Sequence, residues 1–304
     1  MAARFWRWVL AGELAVAAVV AWASTLATPW PLAITIVVVP VAFLVLQVLL
    51  VAGTLVFGRL SAHGVSMRLQ AVQALRVCLT EPPTFALAKL AMSVEPWRSC
   101  PEPAPVKNGA PARPVLLVHG VLCNRAVWSP LYRRLRAAGF APIRAINLEP
   151  LFADIDAYAD QMVREVSALR SEARGARIAV VAHSMGGLVA RAAMRRGASE
   201  SISHLITLGT PHHGSALGRF VLGPAGRQLQ PSSSWLQALN APEDRSSARV
   251  TSIYSEDDNL VVPARSAALE GAECHALHGV GHFGLLRSPQ ALERVLATLL
   301  QADA

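Results

Sequence analysis

The sequence predicts an α/β fold, a mainly parallel sheet with helices on both faces, preceded by an N-terminal transmembrane helical hairpin. Three observations point there. From about residue 115 onward, short apolar runs alternate with longer helical ones, the pattern of parallel strands joined by crossover helices. Before residue 58 the chain is almost wholly apolar. Between these regions, residues 99–114 are rich in proline, alanine and glycine and read as a linker.

Composition sets limits. A chain of 304 residues with 53% hydrophobic content holds one sizeable domain plus further segments. The formal net charge is +8, and the only lysines are Lys89 and Lys107. No dense basic run with interleaved aromatics is present, so nucleic acid is not an expected partner. A mildly basic protein at an anionic membrane surface is the simpler reading. Cys78, Cys100, Cys123 and Cys274 lie far apart without C-x-x-C spacing. Neither a disulfide framework nor a metal site is predicted from them.

The first apolar stretch, residues 8–28, follows Arg4 and Arg7 and is interrupted by Glu13. Glu13 reads as a carboxylate near Arg7 at headgroup level, against the sharper reading of a functional intramembrane acid. A cleaved signal peptide with a small-residue site around Ala27 is the alternative to a spanning helix. The second stretch, residues 32–57, has no charged residue and is long enough to span. Pro40 within it is tolerable in a membrane helix. Residues 28–31, with Trp30 as an interfacial aromatic, suit a tight turn. Arg4 and Arg7 flank one outer end and Arg59, Arg68 and Arg76 follow the other, while the turn has none. Both ends, and the domain after them, are therefore expected in the cytoplasm.

Residues 59–113 form a juxtamembrane segment. Helical spacing over residues 65–79 sets Leu69, Val72 and Leu75 on one side. It suits a helix along the membrane surface or an ordinary packed one. In the main domain, residues 114–304, strands are expected at 115–118, 141–146, 178–181, 202–208, 250–254 and 274–277. Helices are expected at 131–138, 154–174 behind an Asp154 cap, 187–196 and 289–300.

Residues 178–187 read I-A-V-V-A-H-S-M-G-G. A buried strand enters a small-residue turn with Ser184 at its centre and leaves it as a helix, the context of a nucleophile elbow. So tight a turn needs small residues two places either side of the serine, here Ala182 and Gly186. Alanine departs from the usual glycine by one methyl. Upstream, V-L-L-V-H-G at 115–120 lets the chain approach the elbow closely. The backbone N–H groups of Val121 and Met185 could then form an oxyanion hole. His119 and His183 read as structural histidines. Downstream, V-T-S-I-Y-S-E-D-D-N-L-V-V-P at 250–263 carries a strand into an acidic loop. Asp257 and Asp258 compete there to orient a histidine, and the spacing to Val261 and Pro263 favours Asp258. G-V-G-H-F-G at 279–284 sets His282 in a glycine-rich loop after the last strand. Between residues 215 and 245, Phe220, Leu222, Leu229, Trp235, Leu236 and Leu239 suit a small cap. It would be a helix packed on the core or an apolar lid over an acyl pocket.

With these pieces together, residues 114–300 resemble the bacterial lipase and esterase branch of the α/β-hydrolase superfamily. L-G-T-P-H-H-G-S at 208–215 is close to a segment typical of those lipases. A-H-S-M-G-G, with alanine first, also occurs there, and D-N-L-V-V-P is similar to the acid loop of that group. The resemblance implies cleavage of lipid or acyl esters by Ser184, His282 and Asp258 through an acyl-enzyme, without cofactor; the sequence offers no candidate for a lipase calcium site, so none is predicted. The hairpin and its flanking arginines, by contrast, predict a bacterial-type inner-membrane protein, against the secreted location common among similar lipases. An acyltransferase or thioesterase would use the same machinery, and an inactive membrane-bound interaction protein is a further alternative. The hairpin and residues 58–113 lie outside the resemblance.

Overall fold

The computed structural model describes residues 1–27, 32–60, 67–95, 112–241 and 248–302. The turn expected at 28–31 and nearly all of the linker expected at 99–114 lie outside the described residues. Three helices come first: α1 (Ala2–Ala27), α2 (Leu32–Leu60) and α3 (Met67–Ser93). In the α/β body follow β1 (Val115–Val118), α4 (Ser129–Ala137), β2 (Ile143–Ile146), α5 (Ile155–Glu172), β3 (Ile178–His183), α6 (Met185–Ala193) and β4 (Ile202–Leu208). Then come α7 (Pro224–Gln228), α8 (Ser234–Asn240), β5 (Arg249–Ser255), β6 (Glu273–Leu277) and α9 (Pro289–Ala302).

The six strands form one parallel sheet in the order β2-β1-β3-β4-β5-β6. Strand side chains alternate between its faces. Leu116, Val118, Ile178 and Val180 pack with α5 and α6 on one face. Val115, Leu117 and Val181 pack with α4 and α9 on the other. Both faces are therefore dry, which explains why the strands read as apolar runs rather than as alternating ones. The Asp154 side chain accepts from Ala157 N–H and caps α5. The strand order reverses between β1 and β3, which opens a crevice at their carboxyl ends.

α1 and α2 are each long and apolar enough to cross a bilayer. Leu14, Val19, Trp22 and Leu26 of α1 are exposed, as are Val37, Val41, Leu46 and Leu49 of α2. Their outer ends both meet the α/β body. Trp6 of α1 is buried and its Nε1–H donates to Leu122 O at 2.6 Å. Gly58 of α2 lies against Val262, and the Arg219 guanidinium sits 5.7 Å from the Phe57 ring centroid.

α3 corrects the expected helix at 65–79 in extent: it runs on through Pro82 and Pro83 to Ser93. Two prolines remove two N–H donors and so cost a free helix dearly, but packing outweighs them here. Val77 and Cys78 are buried beside Leu55 of α2, while Ala88 and Met92 join the core beneath the sheet with Trp6. Its opposite side exposes Val72, Leu75, Leu79, Leu87 and Leu90. Glu13 also departs from expectation. Its carboxylate receives the Lys89 ammonium of α3 at 2.6 and 2.8 Å, so it joins two helices. Within the expected cap, Leu229, Leu236 and Leu239 are buried in the main core, and Trp235 Nε1–H donates to Asp156 at 2.9 Å. Those four pack as a surface layer does; Phe220 and Leu222 stay exposed.

Candidate active site

β3 delivers Ser184 at φ 56° and ψ −131°, a backbone conformation that an L-residue adopts at a cost of about 1–3 kcal/mol. The strain is held by its surroundings. Ser184 N–H donates to Leu208 O at 2.9 Å. A Cβ at Gly186 would lie 2.5 Å from Val118 O and 2.6 Å from His119 O, so only glycine lets the turn fold against β1. Gly120 is equally constrained, since a Cβ there would lie 2.7 Å from Ser184 Cβ and 3.1 Å from its Oγ. Ala182 is fully buried, and its methyl is accommodated. Ser184 itself remains partly open to solvent.

The loops after β5 and β6 meet beside this turn. His282 Nδ1 lies 2.8 Å from Asp258 Oδ2 and 3.1 Å from Oδ1, with both side chains buried. Asp258 Oδ1 also accepts from Leu260 N–H and Val261 N–H at 2.8 and 2.9 Å. Asp257 turns away and accepts from Gly279 N–H at 2.7 Å. Of the two carboxylates, Asp258 faces the histidine and Asp257 pins the start of its loop. Burial disfavours a charged His282, but the Asp258 carboxylate and its hydrogen bond, with Glu81 behind, outweigh this and raise its pKa above 6.5. A proton on Nδ1 leaves Nε2 with its lone pair free to accept.

Two further histidines order the site without joining that pair. His119 Nε2 accepts from Leu148 N–H at 3.1 Å, so Nδ1 carries the proton and donates to Gly120 O at 2.9 Å. Burial pushes its pKa down to about 4. His183 donates from Nε2 to His282 O at 3.1 Å, and its ring lies 4.6 Å from the His282 ring. Burial first, then the neighbouring His282, hold it well below 6.5. Both are neutral, as structural histidines should be.

Val121 and Met185 lie together on the wall of a narrow cleft of about 20 Å³. Leu148, Leu151, Phe152 and Leu222 make the rest of it largely apolar. Met185 opens α6, so its N–H belongs to the helix end that has no intrahelical acceptor. Among the described residues, no three His, Cys, Asp or Glu side chains gather as a metal set would.

Three features escape the motifs. Asn259 Oδ1 accepts from His282 N–H at 2.9 Å. Trp6 of α1 holds the carbonyl of Leu122 beside Val121. Glu81 of α3, buried, accepts from Phe283 N–H and Gly284 N–H at 2.6 and 3.0 Å. Of the three, only Asn259 lies in a quoted segment, D-N-L-V-V-P; Trp6 and Glu81 carry no local sign of these contacts.

A strained serine between β3 and α6, an acid after β5 and a histidine after β6 all stand at carboxyl ends of one doubly wound parallel sheet. Several solved structures are similar to the chain in fold. A lipase from Bacillus licheniformis matches at a TM-score of 0.57 and 18% identity, over 64% of this chain and 96% of its own. The chain has the α/β-hydrolase fold. Aspergillus fumigatus lipase B matches at 0.58 and 20% identity, over 65% of this chain and 54% of its own. A Legionella pneumophila phospholipase matches at 0.53 and 18%, over 62% of this chain and 60% of its own. This chain therefore spans only about half to three-fifths of those last two. The PGAP1-like alpha/beta domain family matches residues 151–265, a range that holds Ser184 and Asp258. No curated protein sequence matches the chain. Three helices precede this fold in the chain.

Proposed function

We propose that the chain is a membrane-held serine hydrolase of carboxylic esters, with Ser184 as nucleophile, His282 as general base and Asp258 as its orienting acid. The observation that carries the reading is the strained, half-open Ser184 beside a buried His282–Asp258 pair. Strain at a serine between a strand and a helix has no structural use here; it exposes a hydroxyl at the crevice.

The reaction follows from these groups. His282 Nε2 takes the hydroxyl proton as Ser184 Oγ attacks the ester carbonyl. The tetrahedral oxyanion is met by Val121 and Met185 N–H. Collapse breaks the bond to the alkoxide, which leaves as alcohol with the proton from His282. Water then attacks the acyl-Ser184 ester, gives its proton to His282, and the acid departs as Ser184 regains its proton. The narrow cleft beside the two N–H groups has largely apolar walls.

A membrane location is supported by lengths. Lys89 grips α1 at Glu13, so only about 14 residues of α1 rise clear of α3, ~21 Å of helix. A hydrocarbon core is ~30 Å thick. A fully inserted pair of helices would therefore bring the exposed leucines of α3 into the bilayer's edge, with the cleft close by. The substrate class that fits is a lipid or other long-chain acyl ester.

The test is an ester screen of graded chain length on the full chain, beside fluorophosphonate labelling. Wild type should label and turn over, and Ser184→Ala should do neither. Equal labelling of both proteins would sink the assignment. Adding competing alcohol and thiol acceptors separates hydrolysis from transfer.

A further inference from the structure

We infer that Glu81, on a helix outside the α/β body, is the positioning residue that holds the His282 loop in its working shape. The inference rests on the hydrolase reading above.

The loop after β6 is short of partners from its own domain. Asp257 takes Gly279 N–H, Asn259 takes His282 N–H, and His183 supplies a donor to His282 O. The next two donors, Phe283 N–H and Gly284 N–H, both end on the Glu81 carboxylate. Both of its oxygens are used, one for each amide. The fit is close: a Cβ at Gly281 would fall 2.3 Å from Glu81 Oε2. The loop has therefore been shaped around a carboxylate, and a side chain there would displace it. Phe85, one turn further along α3, stacks on Phe283 at 4.7 Å between centroids, which fixes α3 on the loop from a second side.

Burial by itself favours a neutral group at this position. Burial raises the Glu81 pKa from 4.5 to about 7, against the two backbone hydrogen bonds that lower it. The sign follows: folding favours the protonated form, so this group's stabilisation is complete below 4.5 and is lost as pH rises through 7. Above that, the charge is kept at a cost to stability. What it gives in return is a full set of acceptors for two amides and a negative charge near the imidazole. The charged or titratable groups facing it are His282 and Asp258. Arg76 on α3 lies against Gly279, with Asp257 behind that glycine.

The test uses the full chain in detergent with p-nitrophenyl butyrate and a fluorophosphonate probe. Glutamine offers one acceptor and no charge. Glu81→Gln should lose about tenfold or more in kcat, with KM changed far less, since a misplaced catalytic group costs that much. The acid limb of kcat/KM should move to lower pH, because the imidazolium loses a stabilising neighbour. Its melting temperature at pH 8 should not fall below wild type. Glu81→Asp keeps the charge, so it should leave the limb where it was and recover part of the kcat. Wild-type kcat and an unmoved limb in Glu81→Gln would overturn the inference, as would a lower kcat traced wholly to lost folded protein. If wild type itself fails to label, the hydrolase reading falls and takes this one with it; labelling with no effect of Glu81 removes this one alone.

Discussion

A histidine orients by one nitrogen and reacts by the other, so the two neighbouring carboxylates should behave differently when each is made an amide. Asp258→Asn offers Nδ1 a donor instead of an acceptor and turns the ring to the wrong tautomer; kcat should fall about 10,000-fold. Asp257→Asn keeps an oxygen for Gly279 N–H and should cost far less. The opposite ranking, measured on one ester at one pH, would show that the wrong carboxylate has been assigned. At this scale the sequence is legible where chemistry is local. Ser184 is marked by its small neighbours, and Asp258 by its distance from Val261 and Pro263. Glu81 is not legible, because its partners are backbone amides 202 and 203 positions away, and an amide is the same in every residue. Glu13 misleads for a related reason: Arg7 is near in sequence, but the helix that supplies Lys89 comes 76 positions later.

Elements are legible wherever period and burial agree. All six strands lie where apolar runs predict them, with edges moved by a residue or two; β1, β3 and β4, dry between two helix layers, tolerate little else, while the edge strands β2 and β6 are more open. The segment from 65 to 93 fails at Pro82 and Pro83. Proline stops a helix that stands alone, but α3 is held on one side by α2 and on another by the α/β body, and continues. The carboxyl ends of β1 and β3 are where single atoms decide function. Gly120→Ala would drive a methyl into Ser184 Cβ, with backbone on the far side. Moving β1 away to relieve it would carry Val121 from the oxyanion position. Removing one such donor costs ~100- to 1,000-fold in kcat, and Gly120→Ala should lose at least that while remaining folded by circular dichroism. Near-normal kcat in the variant would show that the loop after β1 takes no part.

At the scale of the molecule, the amino end of α1 and the carboxyl end of α2 both return to the α/β body. Any bilayer these helices enter must therefore be entered and left on the same face. We propose that this face is the cytoplasmic one, because Arg4 and Arg7 stand at the outer end of α1 and Arg59 at that of α2. A cytoplasm-active reporter fused after Ala304 should work, and an export-dependent phosphatase there should be silent; strong phosphatase activity would reverse the orientation and leave the site untouched. Charge bias is legible in sequence because it is a count. The embrace of the α/β body by α1 and α3 is not, since it depends on where a sheet loop happens to end.

That embrace touches the cleft at Leu122 and, separately, the loop that carries His282. Trp6 of α1 holds Leu122 O, Asn124 Nδ2–H donates to Met92 O of α3 at 2.9 Å, and Glu81 takes the two amides after His282. Extraction from a membrane is then more than a change of solvent. A detergent that slips between α1 and α3 would leave every strand paired and every core leucine dry, and spectroscopy would register a healthy protein. Turnover would nonetheless be gone, because the loops on either side of the substrate would have lost their outer supports. For this chain, loss of activity during purification would read first as a report on how its first three helices are packed.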